Sequence, residues 1–249
     1  MPRKQIICLA NSYKHGGRCI AGLCPQDRTW IRLLGKSGDG ALQPHEYHLD
    51  DGTEPRLLDL IEVDLHYALP SDCHPEDWHT SPAPWRLIRR SALPQPERFV
   101  LHKATKGTGI LRGFRDRIAV HELTERPLDR SLTLVEPTRL SWWIREEKGA
   151  RKYRALFSRQ NVTYDFALTD PAWIDLLKLL PVGLYPHSKF ADAATQTYLT
   201  ISISEPFFGW HYKLAAAVVV IPAQPSIQAS AQNPKTPAPP ANTHPSHSP

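Results

Sequence analysis

Apolar and polar residues alternate along most of this chain in short runs of strand length. These are Ile6–Ala10, Cys19–Leu23, Thr29–Leu34, Leu57–Leu65, Arg86–Arg90, Ser131–Glu136, Leu140–Arg145, Lys152–Phe157, Val162–Leu168, Tyr198–Ser204 and Trp210–Val220. Many short strands separated by turns bearing Pro and Gly are the pattern of small barrels or sandwiches, so the expected fold class is all-β with one or two short helices. The clearest helix lies near 170–180. There Asp170-Pro171 forms an N-cap and first helical residue, Trp173, Ile174, Leu177 and Leu180 recur at helical spacing, and Pro181 ends the run. Between 70 and 130, prolines at 70, 75, 82, 84, 94 and 96 argue against long regular elements, and Phe114 to Glu125 reads as a helix or a loop.

The same alternation assigns faces. In Thr29–Leu34, Ile31 and Leu33 share one face, with Trp30 and Arg32 side by side on the other. In the run starting at Arg139, the residues Leu140, Trp142 and Ile144 face a core, while Arg139, Ser141, Trp143 and Arg145 face outward. Lys152 and Arg154 alternate with Tyr153 and Ala155 on the following strand. Near the end, Trp210, Tyr212 and Leu214 read as a core face opposite His211 and Lys213, which aims Lys213 at the same groove as Arg32 or Arg154.

Charge sharpens this picture. The 249 residues carry a formal charge of +5, and an equal excess sits in Arg139–Arg159 alone, where seven Lys and Arg face two Glu. The outer face of that predicted hairpin is therefore both aromatic and cationic. Single-stranded nucleic acid is held by such faces, bases stacking on rings for about 1–3 kcal/mol each while Lys and Arg follow the backbone. A second basic element lies near the start, in Asn11 to Arg18. This loop carries Lys14, His15 and Arg18, and its Gly16-Gly17 pair is expected to supply the positive φ of a turn. The predicted nucleic-acid-binding set is Lys14, Arg18, Trp30, Arg32, Arg139, Trp143, Arg145, Lys152, Arg154 and Lys213.

The order of basic loop, Gly-Arg-Cys-Ile-Ala-Gly (17–22) and Trp-Ile-Arg (30–32) resembles the opening of the bacterial dual OB-containing domain. Tyr198 to Val219 resembles that family's closing strands. The resemblance implies two OB-like barrels, placed here at 1–115 and 116–222 with the inserted helix near 170–180 in the second. It also implies nucleic acid as partner and a role near nucleic-acid processing or bacterial antiviral defence. It brings no catalytic residues.

Other chemistries find less support. Lys106 to Gly113 is Gly-rich and basic but lacks the Gly-Lys-Ser/Thr ending of a P-loop. A metal-dependent hydrolase would draw on Asp59, Glu62 and Asp64 with His66, or on Cys73, His74 and His79, but only fragments of a metal-ligand pattern are present. A protein-interaction adaptor would use the same barrels. The expectation is a non-catalytic module with no cofactor and no metal, accessory to a partner enzyme. Met1 to Gln5 is polar and basic, the apolar run after it is shorter than a signal sequence's core, and no run approaches the ~20 residues of a membrane helix. The expected setting is cytoplasmic, with no membrane contact. Residues 223–249, rich in Pro, Ala and Ser, are expected to form a disordered tail.

Overall fold

A computed structural model describes residues 2–90 and 109–222. The expected tail at 223–249 and the front of the Gly-rich stretch at 106–108 lie outside the described residues. In the first half, β1 (Arg3–Lys14), β2 (Gly17–Leu23) and β3 (Trp30–Leu34) are followed by α1 (Pro44–Tyr47), then β4 (Leu60–Ala68), β5 (Asp77–Thr80) and β6 (Arg86–Arg89). Strands β1, β2 and β3 form an antiparallel meander, β5 joins β3 in parallel, and β4 joins β5 to β1. The ring β1-β2-β3-β5-β4-β1 is thereby closed, with β6 appended to β4. This is the five-stranded Greek-key barrel of the OB fold, with its short helix between the third and fourth strands.

The second half repeats the plan with one interruption. It contains β7 (Arg117–Ala119), α2 (Val120–Glu125), β8 (Thr133–Val135), β9 (Arg139–Glu147), β10 (Ala150–Arg159), β11 (Val162–Leu168), α3 (Pro171–Lys178), β12 (Gly183–Pro186), β13 (Thr195–Ile203) and β14 (Trp210–Pro222). Again three strands meander, β9-β10-β11, the third pairs in parallel with the last, β14, and a helix follows the third. The fourth strand is split in two. Its first part, β12, pairs β9, and its second part, β13, pairs β14. A 3-10 turn at His187–Lys189 joins them, and His187 links the halves by accepting from Trp142 Nε1 (3.2 Å) and bonding Thr197 (2.8 Å). Every strand through Arg89 belongs to the first sheet and every one from Arg117 to the second.

Among the described residues the fold holds three short α-helices where one or two were expected. α1 is announced only by Gln43-Pro44 and the capping box with Glu46, too short for any periodicity to show. α2 occupies the second half of the ambiguous Phe114–Glu125 segment. In α3, Asp170 caps the helix by accepting from Trp173 N (3.1 Å) and also accepts from Val218 N of β14 (2.9 Å). This ties the plug helix to the last strand, and Trp173, Ile174 and Leu177 close the barrel against Trp142.

Each barrel has its own core, and a third core lies between them. Ile7, Leu9, Ala10, Ala21, Leu23, Trp30 and Leu60 of the first unit pack on Leu132, Leu134, Tyr198, Ala216, Ala217, Val219 and Ile221 of the second. The outer face of β1-β2-β3 is thus covered by protein. This corrects the expectation for β3, all five of whose residues are buried, Trp30 and Arg32 included. The alternation does separate two faces, but the second meets the other barrel in place of solvent.

Candidate nucleic-acid interface

The barrels part at one end of their shared core to leave a cleft of about 760 Å³. Five strands from both units deliver cations to it: Lys14 at the end of β1, Arg32 of β3, Arg145 of β9, Arg154 of β10 and Lys213 of β14. Three carboxylates, Asp116, Asp165 and Glu205, also line it.

The cations differ in how they are held. Arg32 is buried and fully engaged, its Nε and Nη2 on the two carboxylate oxygens of Asp77 at 2.5 and 2.7 Å. Burial works against its charge, but the Asp77 hydrogen bonds prevail and raise its pKa above the ordinary guanidinium value. Lys14 Nζ donates to Glu205 Oε1 at 3.1 Å. Arg154 bonds the Asp165 side chain and its carbonyl. Lys213 is 2% exposed and donates to the Gly113 carbonyl at 3.0 Å. Burial lowers its pKa to about 8. Arg145 reaches Glu147 at 2.8 Å and lies over the Trp143 ring at 4.8 Å. Its Nε is buried with no hydrogen-bond partner among the described residues.

The hairpin β9–β10 extends the cleft outward. Trp143 is 36% exposed and sits cross-strand from Arg154, while Lys152 sits cross-strand from Arg145. Two cations directly opposite one another repel, and an anion laid across them relieves that repulsion. Trp143 and Lys152 therefore join the five cleft cations as one surface.

Three predicted residues are elsewhere. Trp30 is sealed in the inter-barrel core. Arg18 donates to Glu54 at 2.6 Å, lies over Tyr13 at 4.8 Å and lines a separate cavity. Arg139 stands at the far end of the hairpin, opposite Ser158. The turn that carries Lys14 also differs from expectation. Gly16 has φ +85°, but Gly17 does not lie in the left-handed region. A Cβ at Gly17 would stand 2.4 Å from the Leu42 carbonyl, so this glycine lets the Leu42 backbone approach closely instead.

In β14 the predicted faces are reversed. His211 and Lys213 are buried, whereas Trp210, Tyr212 and Leu214 are only partly so. A bulge near Ala216 is responsible. It shifts the register between the pairs Thr200–Ala217 and Ile201–Ala215, so the inward frame of Val218 and Val220 becomes that of His211, Lys213 and Ala215 below it.

Phe207 and Phe208 were missed. They are 60% and 84% exposed, packed edge to face at 4.4 Å, in the β13–β14 turn beside the cleft. Their signal in the sequence is two aromatics before a Gly in a turn, where no core needs them.

The acidic residues weighed for hydrolysis are otherwise employed. Glu62 and Asp64 pair with Arg3 and Arg86, and buried Asp59 pairs with Arg90. Among the described residues no three His, Cys, Asp or Glu are gathered as a metal site, and no helix is long and apolar enough to cross a membrane.

Residues 4–218 match the family model described as the dual OB-containing domain. Comparison with curated proteins finds no match. Among solved structures, a murine DNA-binding protein bound with double-stranded DNA is 12% identical with a TM-score of 0.30, over 90% of this chain and all of that one. The tetrameric p202 HIN2 is 10% identical with a TM-score of 0.27, over 88% and 92% of the two chains. Likenesses this slight bear on neither fold nor function.

Proposed function

The chain belongs to the dual OB-containing domain family, and from that premise we propose that it is a non-catalytic module holding single-stranded or structured nucleic acid. The observation that carries this reading is the convergence on one cleft of Lys14, Arg32, Arg145, Arg154 and Lys213 from five strands of two barrels. Strand phosphates follow the cations, and bases stack on Trp143 and on the exposed Phe207–Phe208 pair. Arg32, committed to Asp77, shapes the floor and contributes field more than a direct contact. An accessory role beside a partner enzyme, in a cytoplasmic nucleic-acid-processing or defence setting, accompanies this reading by family analogy.

The test is binding of labelled single-stranded DNA and RNA by fluorescence anisotropy across a salt series. Wild-type affinity is expected to fall steeply with salt. A triple variant, Arg145→Ala, Lys152→Ala, Arg154→Ala, is expected to bind more weakly with a slope shallower by about 2, since each lost phosphate contact removes ~0.7. Absence of binding to either nucleic acid near physiological salt overturns the proposal, and the same affinity and slope in the variant removes the hairpin from the interface.

A further inference from the structure

The floor of the cleft holds a group that nothing in strand binding requires. Glu205, in the β13–β14 turn, places Oε1 at 3.1 Å from Lys14 Nζ, 3.8 Å from Arg32 Nη2 and 3.7 Å from His74 Nε2. The side chains of Lys14, Arg32 and His74 are 10%, 4% and 2% exposed, whereas that of Glu205 is 41% exposed. A half-exposed carboxylate on a turn thus fills a deep, fixed socket for an anion.

His74 shows which anion suits the socket. Glu76 accepts from Ser131 Oγ at 2.7 Å, so the Ser131 oxygen is the acceptor for His74 Nδ1–H at 2.9 Å. This fixes the tautomer and leaves Nε2 as a bare lone pair. Burial, with Arg32 and Lys14 nearby, lowers the His74 pKa to about 2, so Nε2 stays unprotonated. Nε2 is buried with no hydrogen-bond partner among the described residues and faces a carboxylate oxygen that has no proton to give. A ligand that completes the site must be an anion to Lys14 and Arg32 and an O–H donor to His74. A phosphodiester has no O–H. A phosphomonoester has both as its monoanion, the form that predominates below its second ionisation near pH 6, and the bare His74 Nε2 selects that form.

We propose that this socket takes the terminal phosphomonoester of a nucleic-acid strand, which displaces the Glu205 carboxylate. Lys14 donates to an anionic oxygen within the field of Arg32, the P–OH donates to His74 Nε2, and the end nucleotide lies in the cleft near Phe207. The cleft volume of about 760 Å³ is that of a small-ligand site. The burial of the socket favours a chain end over an internal phosphate, because a continuing strand would have to enter and leave the same recess. This inference rests on the nucleic-acid reading and adds which part of the strand is recognised.

The test compares four forms of one labelled oligonucleotide in both DNA and RNA: 5′-phosphate, 3′-phosphate, both ends phosphorylated, and both ends hydroxyl. One singly phosphorylated form, together with the doubly phosphorylated one, is expected to bind at least tenfold tighter than the hydroxyl form, and the single form that does so identifies the end. Glu205→Gln, which removes the competing anion, is expected to enlarge that ratio, and Lys14→Gln to shrink it toward one. Equal affinity of all four forms overturns this inference while leaving strand binding intact. If no oligonucleotide binds, the strand reading fails by itself, and titration with a nucleoside 5′-monophosphate, a nucleoside 3′-monophosphate and the nucleoside, followed by tryptophan fluorescence, decides the socket separately. Preference for either monophosphate over the nucleoside supports the socket, and indifference to both overturns it.

Discussion

Arg32 and Asp77, paired on adjacent strands of the first barrel, form a buried ion pair at the floor of the cleft. Both are almost fully buried, and each satisfies the other through two hydrogen bonds. A buried ion pair adds little net stability but is costly to break from one side. Arg32→Met should therefore lower the unfolding free energy by about 3–5 kcal/mol, because Asp77 is left as a lone buried carboxylate. The double variant Arg32→Met, Asp77→Leu should recover most of that loss in a urea titration. A single variant no less stable than the double would show that water reaches Asp77. The sequence placed Arg32 correctly on a face apart from Ile31 and Leu33. It carried no mark of what that face would meet, since an arginine next to a tryptophan suits a wet surface and a sealed ion pair equally well.

At the scale of elements, the best-read pieces were those whose signals are local. The cap, the 3.6-residue spacing and the terminating proline of α3 all lie within twelve residues, Asp170 to Pro181, and the helix forms as its sequence predicts. Asp170 does more than local signals indicate, because it also accepts from Val218 N across the barrel. Asp170→Ala should cost about 1–3 kcal/mol, and Asp170→Asn, which keeps one acceptor, noticeably less. Thermal unfolding of the two variants checks this, and equal losses would mean that the charge matters more than the cap. The hairpin β9–β10 was likewise legible, with Leu140, Trp142 and Ile144 inward and Trp143 outward. β14 was not, because a bulge at Ala216 inverts the frame halfway along and nothing in Leu-Ala-Ala-Ala-Val announces an extra residue.

At the scale of the molecule, the two OB units share a core that neither completes alone. Trp30, Leu9 and Leu23 would be exposed without Leu134, Tyr198 and Val219, and Tyr13 N and Thr200 Oγ1 bond across the seam to the Thr169 and Leu9 carbonyls. The barrels should therefore unfold in one cooperative transition, with denaturant dependence appropriate to the whole globular part. Two resolved transitions in urea, followed by both tryptophan fluorescence and circular dichroism, would show the units to be independent. The seam also makes the cleft. Its cations come from three distant stretches of the chain, and only the joining of the barrels brings Lys14 and Arg32 to face Lys213 and the hairpin's Arg145 and Arg154.

The sequence by itself determined the strand-rich class, the capped helix, the aromatic and cationic hairpin and the basic turn at Lys14. Each follows from period-two or period-3.6 spacing and from turn chemistry acting over a few residues. Tertiary structure alone decided that Trp30 and Arg32 are buried, that Arg18 and Arg139 stand apart, that β14 presents its other face, and that Glu205 rests among Lys14, Arg32 and His74. Alternation separates the two faces of a strand but does not say which environment each will meet. That choice rests on burial between segments a hundred or more residues apart, and on one bulge that shifts the frame without a local sign.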